Sequence, residues 1–172
     1  MSELRSLIRD IPDFPRPGIV FKDIMPLLSE GPALREAVDS MAQFAAARQP
    51  DLVLGAESRG FILGGALAYV LGCGFAAARK PGKLPWRTVS VGYALEYGAD
   101  ALELHEDVVK PGVRVLVHDD LLATGGTAKA KVDLVEQLGG EVVGIAFLIE
   151  LAFLAGRKQL AGHDVYSVIA YE

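Results

Sequence analysis

The sequence predicts an α/β fold: a mostly parallel central sheet flanked by helices. Two observations carry this. Short apolar runs that read as buried strands (Leu52-Val53-Leu54, Val115-Leu116-Val117, residues 142–149) alternate with segments of helical spacing, which implies parallel strands covered on both faces. Two of these strands run at their carboxyl ends into loops rich in polar and glycine residues, residues 55–60 (GAESRG) and 118–127 (HDDLLATGGT). Such strand ends are where open α/β sheets bind ligands.

In chain order, Leu4, Leu7 and Ile8 predict a short helix ended by Pro12, before a turn-rich stretch, residues 13–18. Ile19-Val20-Phe21 reads as a short strand, and Pro26 and Pro32 bracket a loop. Leu34, Val38, Met41, Ala42 and Ala45 share one face, so residues 33–48 form an amphipathic helix. After the strand at 52–54 and the GAESRG loop, residues 61–71 form a helix. Its Gly64, Gly65, Ala66 and Ala68 let it lie close to the sheet. Residues 75–78 are a strand that enters a basic turn at Arg79, Lys80 and Lys83. Residues 88–97 alternate and are answered by 101–105, a β-hairpin flap. Residues 128–138 form a helix ended by Gly139-Gly140, followed by a strand at 142–149, a helix at 151–160 and a last strand at 165–170.

The 172 residues, 51% apolar and 23% charged, suffice for one domain with a real core. A net charge of −5 argues against a nucleic-acid partner, so any anionic ligand must meet a local basic cluster. With Cys73 alone there is no internal disulfide or cysteine zinc site, which fits a reducing compartment. His105, His118 and His163 lack metal-ligand spacing. The start has acids where a signal peptide would be basic, and the most apolar window, 142–155, is interrupted by Glu150 and shorter than the roughly 20 residues of a membrane span. The expectation is a cytoplasmic protein without a membrane partner.

Residues 118–127 carry the most chemistry. Gly125 and Gly126 allow the backbone to curl around an anion, Thr124 and Thr127 add hydroxyl donors, and the following helix offers unpaired N–H groups. Asp119 and Asp120 would repel a phosphate but suit the vicinal hydroxyls of a ribose. A sugar phosphate lying across one loop satisfies both. The loop has neither the Lys-Ser/Thr of a Walker site nor a GxGxxG turn.

The loop resembles the phosphoribosyl diphosphate (PRPP) signature of the type I phosphoribosyltransferases, and its form DDLLATGGT resembles the adenine-using branch. IPDFPRPGIVFKDIMPLL (residues 11–28), ESRGF (57–61), RKPGKLP (79–85), LEYG (95–98) and Gly156-Arg157 match that branch in order, so the resemblance covers nearly the whole chain. It implies one phosphoribosyltransferase domain over residues 1–172, with a small amino-terminal hood at about 11–28 and a flap at about 84–106. The implied reaction is transfer of the 5-phosphoribosyl group from PRPP to adenine, giving AMP and diphosphate in purine salvage, with Mg²⁺ held mainly by PRPP and a homodimer as the working form.

The resemblance also implies roles. Asp119 and Asp120 hold the ribose hydroxyls, while Ala123, Thr124, Gly125, Gly126 and Thr127 cradle the 5′-phosphate. Glu57, Ser58, Arg59 and Gly60, with Arg79, Lys80 and Lys83, face the diphosphate, and the family often has a cis peptide at the position of Glu57-Ser58. Arg59 assists the leaving group. Glu96 is the catalytic general acid/base, with Tyr97 beside it on the flap. Val20, Phe21 and Lys22 form the adenine site, Phe21 stacking on the base. Two positions depart from the pattern: His118, where an aliphatic residue usually precedes the paired acids, and Val91-Gly92 in the flap. Two alternatives stay open: a phosphoribosyltransferase for a 6-oxopurine or orotate, and a non-catalytic PRPP-sensing module.

Overall fold

A computed structural model describes residues 2–94 and 99–172. In chain order the elements are α1 (Ser2–Ser6), β1 (Arg9–Pro12), β2 (Val20–Asp23), α2 (Met25–Ser29), α3 (Gly31–Ala46), β3 (Leu52–Ala56), α4 (Arg59–Leu71), β4 (Gly74–Ala78), β5 (Thr88–Ala94), β6 (Ala99–His105), β7 (Arg114–Leu122), α5 (Gly126–Gln137), β8 (Glu141–Leu151) and β9 (Val165–Tyr171). Two short 3₁₀ turns, Ala152–Leu154 and Gly156–Leu160, link β8 to β9.

The central sheet has the order β4-β3-β7-β8-β9 and is parallel throughout. Alternation along each strand divides its side chains between two faces. Val53, Leu116, Ala146 and Leu148 pack against Val38, Met41 and Ala45 of α3 and Leu63 and Leu67 of α4. On the other face Leu52, Leu54 and Val115 meet Leu102 and Leu104 of β6 and Leu134 and Val135 of α5, while Val117, Ile145 and Phe147 meet Ala128 and Val132. Each large apolar side chain so buried contributes about 1.5–3 kcal/mol before chain entropy is counted. Gly64 explains how closely α4 lies on the sheet: a Cβ there would stand 2.8 Å from the Phe75 ring.

Several boundaries differ from expectation. α1 stops at Ser6, and residues 9–12 pair antiparallel with β2 instead of ending a helix. Cross-strand ion pairs, Arg9 to Asp23 at 2.9 Å and Lys22 to Asp10 at 2.6 Å, join the two strands. The expected loop between Pro26 and Pro32 holds α2, because a proline in the first helical turn has no N–H to lose. Residues 151–160 form no α-helix: Ala155 is left-handed, with φ of 53°, and separates two 3₁₀ turns. α4 and α5 begin at Arg59 and Gly126, earlier than predicted, and β7 runs on to Leu122, so Asp119 and Asp120 lie on a strand rather than in a loop.

This topology fixes where a ligand can sit. From β3 the chain crosses through α4 on one face to β4; from β7 it crosses through α5 on the other face to β8. The connections therefore diverge between β3 and β7, and a crevice opens at the carboxyl ends of these two strands.

Candidate active site

A cavity of about 400 Å³ fills that crevice, lined by Phe21, Glu57, Ser58, Arg59 and residues 119–128. Most of the residues singled out in the sequence thus converge. Its floor is the turn from β7 into α5. Gly125 has φ of 91°, and a Cβ there would stand 2.5 Å from the Gly156 carbonyl oxygen, so only glycine fits. The Gly125 N lies 3.1 Å from where a Gly156 Cβ would be, so the two glycines let this loop and the 3₁₀ turn interlock. That turn is anchored by Arg157, which donates from Nε and Nη2 to the two carboxylate oxygens of Glu150, both at 2.7 Å. The first N–H groups of α5 have no intrahelical acceptors and no side-chain cap at Gly125, which makes this end a seat for an anion.

The paired acids are held differently. Asp119 accepts the Asp120 N–H at 3.0 Å on Oδ1 and the Lys131 ammonium at 2.8 Å on Oδ2. Asp120 is buried, and its Oδ2 lies 2.7 Å from Nη2 of Arg59 without the alignment of a hydrogen bond. Burial, followed by the neighbouring Asp119 charge, pushes the Asp120 carboxyl up to about 7, against the opposing pull of Arg59.

Arg59 is therefore engaged rather than free. Besides Asp120 it reaches the Lys22 carbonyl at 3.3 Å, and its guanidinium lies 4.6 Å from the centre of the Phe21 ring, tying the β1–β2 ribbon to the sheet. The Glu57-Ser58 peptide is cis, as the resemblance led one to expect. Glu57 accepts from the Lys80 N–H at 2.6 Å and from Nη2 of Arg79 at 3.0 Å. Burial alone would raise the Glu57 carboxyl, but the Lys80 N–H and the Arg79 guanidinium hold it below its ordinary value. Ser58 is exposed at the start of α4, and Gly60 backs onto Asp119.

The basic turn adjoins this cavity without lining it. Arg79 is spent on Glu57 and on the Lys83 carbonyl at 3.1 Å, Lys80 pairs with Asp100 at 3.0 Å, and Lys83 is exposed. Backbone bonds between Arg79 and Glu103 fasten the β5–β6 hairpin here. Tyr93 of β5, which the sequence does not single out, stands near Thr127; burial raises its phenol, and the Thr127 side chain opposes that rise. Glu96 and Tyr97 lie outside the described residues.

Val20, Phe21 and Lys22 border a second, more apolar cavity of about 640 Å³, completed by Leu151, Phe153, Leu154 and Tyr171. None of these last four stands out in the sequence. Phe153 and Leu154 are large and apolar yet exposed, a feature that exists only in the fold, so the sequence carries no signal for them. The Lys22 ammonium is tied to Asp10 and lies 4.1 Å from the centre of the Tyr171 ring, so the side chain braces the wall. The two cavities share Phe21, Leu121, Ala123 and Thr124.

His118 faces away from both cavities. It is fully buried, its Nδ1 lies 2.9 Å from the Ala146 carbonyl oxygen, and its Nε2 has no partner among the described residues. Burial pushes its imidazole down to about 4, so it is neutral at physiological pH.

A parallel sheet with an anion seat and paired carboxylates at its switch point is the layout of a phosphoribosyltransferase. The phosphoribosyl transferase domain profile matches residues 28–169, and the chain belongs to that family. Within it the likeness is to adenine phosphoribosyltransferases. The enzyme of that name from Thermotoga maritima is 56% identical over 169 residues, 98% of each chain. The adenine phosphoribosyltransferase structure from Thermoanaerobacter pseudethanolicus superposes with a TM-score of 0.97 at 52% identity, covering 99% of both chains. One from Saccharomyces cerevisiae, complexed with an imino-altritol bisphosphate and adenine, gives 0.92 at 35%, covering 97% of both.

Proposed function

We propose that this protein transfers the 5-phosphoribosyl group of PRPP to adenine, forming AMP and diphosphate in purine salvage. The observation that carries the reading is the wall shared by the two cavities. A phosphate seat with carboxylates for a diol adjoins, across Phe21, Leu121, Ala123 and Thr124, an apolar slot suited to a planar base. A sugar bound in the first presents C1′ toward the second.

Residues 123–127 hold the 5′-phosphate through backbone N–H groups and the Thr124 and Thr127 hydroxyls, and Asp119 and Asp120 accept from the ribose hydroxyls. Adenine stacks on Phe21. The adenine N9–C1′ bond forms as the C1′–oxygen bond to diphosphate breaks, and N9 gives up its proton to Glu96, the general base of this reading. Positive charge grows on the ribose, where the two carboxylates stabilise it. Arg59 exchanges Asp120 for the departing diphosphate, with Ser58, Gly60 and the α4 amino-terminus beside it, and Arg79, Lys80 and Lys83 supply positive charge from the adjoining turn.

Asp119 and Asp120 are hard oxygen donors of the kind Mg²⁺ prefers, yet both already face cationic partners. The fit is to a Mg²⁺ that would enter with PRPP, beside Asp119 and Asp120, and would supply charge to the leaving group. Residues 11–28 act as a hood over the base and residues 84–106 as a flap over one domain, residues 1–172. The outer face of α4, with Ile62, Val70 and Tyr69 (88% exposed), is apolar enough to join two copies as a homodimer. The lone Cys73 suits the reducing cytoplasm, and among the described residues no helix is long and apolar enough to cross a membrane.

The test is diphosphate release from PRPP and Mg²⁺ with adenine, hypoxanthine or guanine supplied in turn. Release with adenine, abolished in the Asp119→Asn/Asp120→Asn double variant, is the expected result. No release with adenine, or full activity in the double variant, refutes the reading.

A further inference from the structure

Lys131 belongs to none of the motifs described above, yet it is among the largest fully buried side chains of the fold. It lies on the sheet-facing side of α5, where an apolar residue would normally sit. A buried ammonium is costly unless paired and hydrogen-bonded, so its partners tell what it is there for. The Nζ donates to the His118 carbonyl oxygen at 2.6 Å and to Oδ2 of Asp119 at 2.8 Å, both on the last stretch of β7 before the phosphate seat. Asp119 is confined on its other side as well: its Oδ1 accepts the Asp120 N–H, and a Cβ on Gly60 would stand 2.7 Å from it. The carboxylate is thus clamped between the backbone of α4 and the ammonium on α5.

Resting on the functional reading above, we propose that Lys131 is a positioning residue for ribose recognition, fixing the Asp119 carboxylate that receives a sugar hydroxyl. It touches no substrate itself. Its counter-charge also lets two carboxylates stand side by side facing a neutral diol, because Asp120 has Arg59 and Asp119 has only Lys131 among the described residues. A buried ammonium with two acceptors holds one geometry, whereas a solvated carboxylate would spread over several rotamers.

The experiment compares binding of ribose 5-phosphate and of inorganic phosphate by isothermal calorimetry. The proteins are the wild type, Lys131→Met, Asp119→Asn and the double variant. Met conserves the length and packing of the lysine stem without its charge. Lys131→Met is expected to weaken ribose 5-phosphate about tenfold, the scale of one hydrogen bond to a charged group, and to leave phosphate unchanged, since phosphate has no hydroxyl for Asp119. In the Asp119→Asn background the same change is expected to add nothing. Equal loss for both ligands, an unaltered ribose 5-phosphate affinity, or a full tenfold effect persisting in the Asp119→Asn background overturns the positioning role. A wild type that binds phosphate but gains nothing from the ribose instead overturns the functional reading on which it rests.

Discussion

Gly125→Ala tests the architecture of the phosphate seat most directly. The residue has φ of 91°, and an added Cβ would stand 2.5 Å from the Gly156 carbonyl oxygen and 3.0 Å from Cβ of Gln159. An alanine in the left-handed region costs about 1–2 kcal/mol, and forcing atoms into a filled space costs about 1–3 kcal/mol more. Gly156 cannot simply withdraw, because it interlocks with Leu122 and Ala123 and its turn is anchored by Arg157 on Glu150. The sum is a loss of about 2–5 kcal/mol, and any relief must come from moving the loop itself. Urea unfolding should show the midpoint falling with little change in slope. Steady-state kinetics should show kcat/KM for PRPP falling about a hundredfold or more. A variant within about 0.5 kcal/mol of wild type with unchanged PRPP kinetics would show that the glycine is not required by this geometry.

His118→Val should leave the pH profile of activity unaltered, since the ring faces α4, while removing an acid sensitivity of the fold. An imidazole held at about 4 when folded and near 6.5 when unfolded gives stability that is present above pH 6.5 and lost as pH falls toward 4, about 2 kcal/mol by pH 5; thermal melts at pH 5 and 7.5 read the difference. Asp120→Asn should act with the opposite sign. A carboxyl raised by burial and by the Asp119 charge destabilises the fold increasingly as pH rises from its unfolded value of 3.8 to about 7, so the amide variant should be the more stable protein at pH 8 and little different near pH 4, while PRPP binding weakens throughout. A gain that is equal at both pH values would contradict this. Phe21→Ala should raise KM for adenine about tenfold or more while KM for PRPP changes little, read in the diphosphate assay, because Arg59 keeps Asp120 and the Lys22 carbonyl as partners. Parallel losses in both constants would mean that the hood supports the whole site rather than the base alone.

Much of this was legible beforehand because it is encoded locally. The alternation of apolar runs and helical spacing reports directly on buried strands and covering helices, and DDLLATGGT shows a glycine for a left-handed turn together with the hydroxyls and carboxylates that the proposed function gives to an anion and a diol. The helix expected at 151–160 failed for a reason outside that segment, since Gly156 must admit the backbone of residues 123–125. The α2 turn and the β1 partner of the expected strand at 19–21 were missed because proline punctuation hid them and the ion pairs joining β1 to β2 link residues 12 or 14 positions apart.

What the sequence determined alone is which residue types gather in the loops after β3 and β7 and the alternation of strands and helices that carries them. What only the tertiary structure decided is how those groups are engaged. Arg59 faces Asp120 and the ring of Phe21, Glu57 gathers the basic turn, and the base-side cavity closes with Leu151, Phe153, Leu154 and Tyr171. Lys131 reads in the sequence as one more charge on a helix, between Ala130 and Val132, and folding turns it inward onto Asp119, twelve residues back. Spacing along a chain fixes backbone geometry and faces; the pairing of one element's charge with another's depends on distances that exist only once the sheet is covered.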